Sequence, residues 1–112
     1  MQERLREFEE LVLLSVLVAA DEAYGVSIQR ILESDVGRPV LLGPIYTALD
    51  RLSQKGLVTS EFSDPSPTRG GRRKRLYQLT PTGLNAVTEA RRVRDTMWAK
   101  VDPQVLEGGG AK

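Results

Sequence analysis

LGPIYTALDRLSQKGLVTSEFSDPSPTRGGRRKRLYQLT, Leu42 to Thr80, reads as one unit: a helix, a strand, a basic hairpin tip and a returning strand. Pro44 suits a first helical position, where its missing N–H would be unpaired anyway, and Gly43 can cap it. Ile45, Ala48, Leu49 and Leu52 recur at spacings of three and four, so they share one face and are expected to pack on a core. Tyr46, Thr47, Asp50, Arg51 and Gln54 are left on the other face. A face that mixes a phenol, a hydroxyl and a guanidinium is able to touch phosphates and base edges in a major groove, and an ordinary solvated helix face would look the same. Gly56 is placed to stop the helix as a left-handed C′ residue. Leu57 to Phe62 and Leu76 to Leu79 are the strand-like runs, with Tyr77 and Leu79 facing the same way toward the core.

The charge between those strands is concentrated. The chain holds 16 Lys plus Arg against 15 Asp plus Glu, so its net charge of +1 does not by itself suggest nucleic acid. Arg69, Arg72, Arg73, Lys74 and Arg75, however, fall within seven residues without an acid, beside Gly70 and Gly71, which permit close backbone approach. Such a tip can follow a phosphate backbone or enter a minor groove. The bland alternative is a solvated basic run. The preceding SDPSPT stretch, Ser63 to Thr68, has two prolines and no apolar residue and is expected to be a mobile loop.

Gly43 to Leu52, Lys55-Gly56-Leu57-Val58, Gly70 to Thr80 and Gly83 together resemble the PadR family of bacterial winged-helix transcriptional regulators. The resemblance reaches upstream to Leu13-Leu14 and Tyr24-Gly25 and covers about residues 8 to 98. It implies a homodimeric repressor with helix three in the major groove, the wing on the phosphate backbone and a C-terminal helix for dimerisation. One departure is Pro44, which has no side-chain donor where many relatives carry a small hydroxyl residue.

Outward from this unit, 112 residues fit one domain-sized chain with a modest core, and the 40% hydrophobic and 28% charged content is that of a soluble globular protein. Cysteine and histidine are absent, which removes disulfides, thiolate nucleophiles, Cys/His zinc sites and imidazole bases. No metal and no cofactor are expected. The carboxylates are scattered, with no phosphate-binding Gly-Lys motif to join them, so an enzyme is the weakest reading. The apolar run Leu11 to Ala20 follows an acidic stretch rather than a basic one, and at ten residues it falls short of the roughly 20 needed to span a bilayer. A cytoplasmic protein without a membrane role is expected.

Residues 3 to 20 read as a first helix with a stripe of Leu5, Phe8, Leu11 and Val12 and apolar residues nearly all round after it, serving either a monomer core or a dimer interface. Asp21 to Ala23 turn, and a second helix runs from Tyr24-Gly25 to about Ser34, with Val26 or Ile28 and Ile31 and Leu32 inward. Tyr24 can donate to a phosphate beside the first-turn N–H groups, or simply pack the turn. Val40 to Leu42 is expected to form a small third strand. Thr80-Pro81 opens a last helix, cap then proline. Leu84, Val87, Ala90, Val93, Met97 and Val101 recur along it, a stripe for a second copy of the chain, with Arg91, Arg92 and Arg94 on a solvated face between them.

Trp98 lies on or near that seam. It either fills space between subunits or contacts a flat aromatic effector, as aromatic residues of this helix do in some PadR-like regulators. Asp102-Pro103 ends the helix.

The expected architecture is therefore mainly α with a small β-hairpin wing, an α+β winged helix-turn-helix. Residues 1–80 form the DNA-binding domain, 81–103 the dimerisation helix and 104–112 a flexible tail. The expected function is a dimeric, ligand-responsive repressor on double-stranded operator DNA with inverted-repeat symmetry. A winged-helix module that binds protein or RNA without operator recognition is the alternative.

Overall fold

Seven elements follow one another along the chain in the computed structural model, which describes residues 5–63 and 73–108. They are α1 (Glu7–Ala19), α2 (Gly25–Ser34), α3 (Leu42–Gln54), β1 (Val58–Phe62), β2 (Arg75–Leu79), α4 (Pro81–Trp98) and α5 (Pro103–Glu107), with a single 3-10 turn at Ala20–Glu22. The first three helices pack on one another, and the antiparallel hairpin closes the open side: a winged helix-turn-helix.

Glu7, Glu9 and Glu10 occupy the first turn of α1, where negative charge complements the helix dipole, and the Glu9 carboxylate accepts from the Arg6 N–H at 3.0 Å. The side of α1 that turns inward is Val12, Leu13 and Val16 with Glu9 and Ser15. Of the expected stripe only Val12 is fully buried, while Leu5, Phe8 and Leu11 pack at its edge. A helix apolar on most sides has no unique inward face by periodicity, so its neighbours choose one. Buried Glu9 is paired with Lys55 at the end of α3, Nζ to Oε1 3.2 Å, and the Ser15 hydroxyl donates to the Leu11 carbonyl at 2.9 Å.

The core joins these α1 residues to Ile28 and Leu32 of α2, to Ile45, Ala48, Leu49 and Leu52 of α3, and to Leu57, Val58, Tyr77 and Val87. Two boundaries differ from the sequence expectation. Helix α3 begins at Leu42 with Leu41 as cap, so Pro44 sits third rather than first; every N–H of a first turn lacks an intrahelical partner, and proline is tolerated throughout it. No strand forms at Val40–Leu42, because Pro39 lacks a donor and the Val40 carbonyl accepts from the Gln29 side chain at 2.9 Å. The extra strand-like bond comes from elsewhere, the Tyr77 N–H donating to the Ala23 carbonyl at 2.8 Å.

Gly56 takes φ 76° and turns the chain from α3 into β1, which pairs with β2 from Val58↔Leu79 to Phe62↔Arg75. The Thr80 hydroxyl then ties two corners together, donating to the Gly56 carbonyl at 2.7 Å and accepting from the Gly83 N–H at 3.0 Å. Gly83 is needed for room: a Cβ there would stand 2.0 Å from the Leu57 carbonyl oxygen.

Helix α4 ends at Trp98, short of the expected Val101, in a tightened turn where the Lys100 and Val101 N–H groups donate to Met97 and Trp98. The expected tail from 104 is instead helical as far as Glu107. Asp102 caps α5 by accepting from the Gln104 N–H at 2.9 Å, with Pro103 in its first position. The Cα radius of gyration is 17.1 Å, against about 13 Å for a compact chain of this length, because the α4 end projects. Among the described residues no single helix is long and apolar enough to cross a membrane.

Candidate nucleic-acid interface

Because Ile45, Ala48, Leu49 and Leu52 are buried, the opposite face of α3 is left in water with Tyr46, Thr47, Asp50 and Arg51 on it. At about 100° per residue these four divide into two flanks. Thr47 and Arg51 border a hollow of about 500 Å³ between α3 and the start of α1, whose other walls include Phe8 and Pro44. Tyr46 and Asp50 lie toward the hairpin.

That second flank is tied together by aromatic side chains. The Tyr77 phenol, buried on β2, is pushed above its ordinary value chiefly by burial; Arg75 on its own strand lowers it, and Tyr46 and Asp50 of α3 raise it further. The basic end of the hairpin and the outer face of α3 are therefore electrostatic neighbours. Tyr46, 42% exposed, lies against the bare α-carbon of Gly25 at the start of α2. Tyr24 is the N-cap residue of α2 and half-buried, with Ser27 accepting from its N–H at 3.0 Å. Lys74 sets its ammonium 4.2 Å from the centre of the Tyr24 ring, close enough for a cation–π attraction.

Of the residues expected to meet DNA, the structure thus brings Tyr24, Tyr46 and Lys74 to one side of the molecule, and Thr47 and Arg51 to the adjoining flank of α3. Arg73 is exposed just before β2. Arg69, Gly70, Gly71 and Arg72 lie outside the described residues. Arg75, the last residue of the expected basic tip, is exposed at the hairpin end, with its guanidinium 5.4 Å from the centre of the Phe62 ring and its Nε donating to the Ser60 hydroxyl at 3.0 Å. Strand alternation would have turned it inward with Tyr77; its place at the open end of the hairpin is what leaves it exposed. The contact of Gly25 with Tyr46 gave no signal, because the two are 21 residues apart in sequence.

The expected seam on α4 divides. Leu84, Val93, Met97, Trp98 and Val101 are between 37% and 62% exposed on the single chain, and Ala90 is half-buried. Val87 is a correction: at 3% exposure it belongs to the protomer's own core, because α4 packs on α1 and β2 at that turn and leaves it no surface for a partner. Among the arginines between, Arg91 pairs with Asp95 and Arg92 with Glu89, both exposed, whereas Arg94 reaches across to Glu10 of α1.

Known proteins share this arrangement. The sequence pattern of the Transcriptional regulator PadR-like family matches residues 13–89. Transcriptional regulator Rv3488 of Mycobacterium tuberculosis is 35% identical over 100 residues, covering 87% of this chain and 89% of that protein. A PadR family transcriptional regulator from Eggerthella lenta superposes with a TM-score of 0.64 at 24% identity, covering 87% of this chain and 80% of that one. Bacillus subtilis PadR in complex with operator DNA superposes with a TM-score of 0.61 at 17% identity, over 75% of this chain and 46% of that one. These relatives are regulators and not enzymes. With the family pattern spanning the hairpin, α3 and the first half of α4, the chain belongs to the PadR-like family of transcriptional regulators.

Proposed function

We propose that this regulator is a cytoplasmic homodimer that binds an inverted-repeat operator in double-stranded DNA, represses from it and responds to a small aromatic effector. The observation that carries the reading is the division of α3: four apolar residues hold it in the core while Tyr46, Thr47, Asp50 and Arg51 are exposed on its outer face, Tyr46 and Asp50 toward the hairpin and Thr47 and Arg51 on the adjoining flank. In this reading Tyr46, Thr47 and Arg51 supply base-edge and phosphate contacts, and the wing, Arg69 to Lys74, supplies mostly phosphate contacts. Tyr24 adds a phosphate contact at the start of α2. The operator complex of Bacillus subtilis PadR supports DNA as the partner.

Dimerisation is supported by the apolar residues along the projecting part of α4, which a single chain leaves in water. Val93, Met97 and Trp98 are each at least half exposed. Two-fold pairing there sets half-sites roughly one helical turn, ~34 Å, apart. Trp98 on this seam is the effector contact, and an effector moves the balance between two dimer arrangements only as far as its affinities for them differ.

Enrichment of bound fragments from the source genome, followed by electrophoretic shifts against random competitor, tests the proposal. The expected result is a preferred palindromic fragment carrying two chains. Equal retention of all duplexes would overturn it.

A further inference from the structure

Gly25 opens α2 although glycine is a poor helix former, and its φ lies outside the positive range that would demand it. Room is the remaining reason. A Cβ built on Gly25 would stand 2.2 Å from the Tyr46 hydroxyl oxygen, 2.5 Å from Cζ and 2.9 Å from Cε1, and these are its three nearest atoms. Real Cβ contacts do not close to such distances, so even one methyl group would push the tyrosine ring away.

Tyr46 has no part in the core and is 42% exposed, so nothing about burial fixes where its ring goes. Its neighbours do. Tyr24, the cap residue just before Gly25, is covered by the Lys74 ammonium, and Tyr77 lies within electrostatic reach on β2. The bare α-carbon of Gly25 leaves the space in which the ring lies. Resting there, it carries its hydroxyl toward the start of α2, where Lys74 lies over the Tyr24 ring.

We infer that Gly25 is a positioning residue for Tyr46: its missing side chain seats the α3 tyrosine in the orientation that meets DNA, without Gly25 itself touching the duplex. The inference rests on the reading of α3 as the helix that enters the groove. It assigns to the glycine that opens α2 a role in recognition that is exerted through the next helix.

A double-mutant cycle on the full chain tests it, using the fragment recovered by genomic enrichment and a random duplex as competitor. Gly25→Ala and Tyr46→Ala are each expected to weaken binding to that fragment about tenfold, the scale of one lost hydrogen bond to a charged acceptor, and the double variant no further. In thermal melts Gly25→Ala is expected to shift the midpoint more favourably in the Tyr46→Ala background than in the parent protein, because there the methyl group displaces no ring and alanine favours the helix.

An equal shift of the midpoint in both backgrounds means that the methyl group does not meet the tyrosine and overturns the inference. A folded Gly25→Ala that binds as the parent does, or a Tyr46→Ala that binds as the parent does, also overturns it. If Gly25→Ala alone fails to fold, recovery of folding by Tyr46→Ala upholds the seat and failure to recover removes it. A parent protein with no preference for any duplex defeats the reading of α3 and the recognition role with it, while the melting cycle still reports separately whether Gly25 seats Tyr46.

Discussion

Arg51 and Arg73 carry the same charge and are both exposed, yet their surroundings assign them different work. Arg51 stands on a rigid helix, one turn beyond Thr47, and a side chain fixed in that way can select among base edges. Arg73 stands at the edge of the hairpin loop, where the proposed contacts would fall on phosphates that every sequence shares. Arg51→Ala is therefore expected to change preference among sequences, with a loss of about 1–3 kcal/mol on the preferred one. Arg73→Ala is expected to weaken specific and random duplexes alike. Competition binding across a set of single-base operator variants separates the two; matching profiles for both substitutions would contradict the division.

At the same scale, Tyr77 links pH to stability. Burial raises its phenol above the ordinary value of 10.0, so the folded chain holds the proton where the unfolded chain has released it. The contribution is complete below pH 10.0 and is lost as pH rises through the folded value. Tyr77→Phe is expected to flatten the fall in stability as pH rises above 10.0 in denaturant melts, and an unchanged slope would show that other groups cause it.

Among the elements, α4 divides into a half fastened to the core and a half in water. Its first half is fastened by the Thr80 cap, by Gly83 against the Leu57 carbonyl and by Val87 in the core. Beyond Ala90 every residue of α4 is exposed. A charge placed on that second half should spare the fold and abolish pairing, since a carboxylate buried against an apolar partner surface costs about several kcal/mol. Val93→Asp combined with Met97→Asp is expected to leave helical circular dichroism intact and halve the mass seen by sedimentation. An unchanged mass would move the interface elsewhere. The change in packing explains why sequence spacing could not divide the stripe. Leu84, Val87, Ala90 and Val93 look equivalent by period, and only the presence of α1 and β2 beside the first turns separates Val87 from the rest.

For the whole molecule, charge sits where it acts rather than in the total. A net charge of +1 hides a basic hairpin and an acidic start to α1, where Glu7 pairs with Arg38 at 3.1 Å and Glu10 with Arg94. If each protomer neutralises ~3 phosphates, the dimer covers ~6 and the slope of log affinity against log salt is about −5. Filter binding between low and moderate salt measures it, and a slope near zero would remove the wing from the interface.

The order of helices and the hairpin, the inward face of α3, the turn at Gly56 and the Thr80-Pro81 opening were all legible in the chain itself, because each rests on local propensity or on a clear 3.6-residue or two-residue period. What lies between elements was not. The buried side of α1, the place of Val87 in the core, the bond from Tyr77 to Ala23 in place of a strand at Val40–Leu42, and the contact of Tyr46 with Gly25 depend on which surfaces meet. Those meetings join residues far apart along the chain, where neither spacing nor propensity carries information, and only packing in three dimensions decides them.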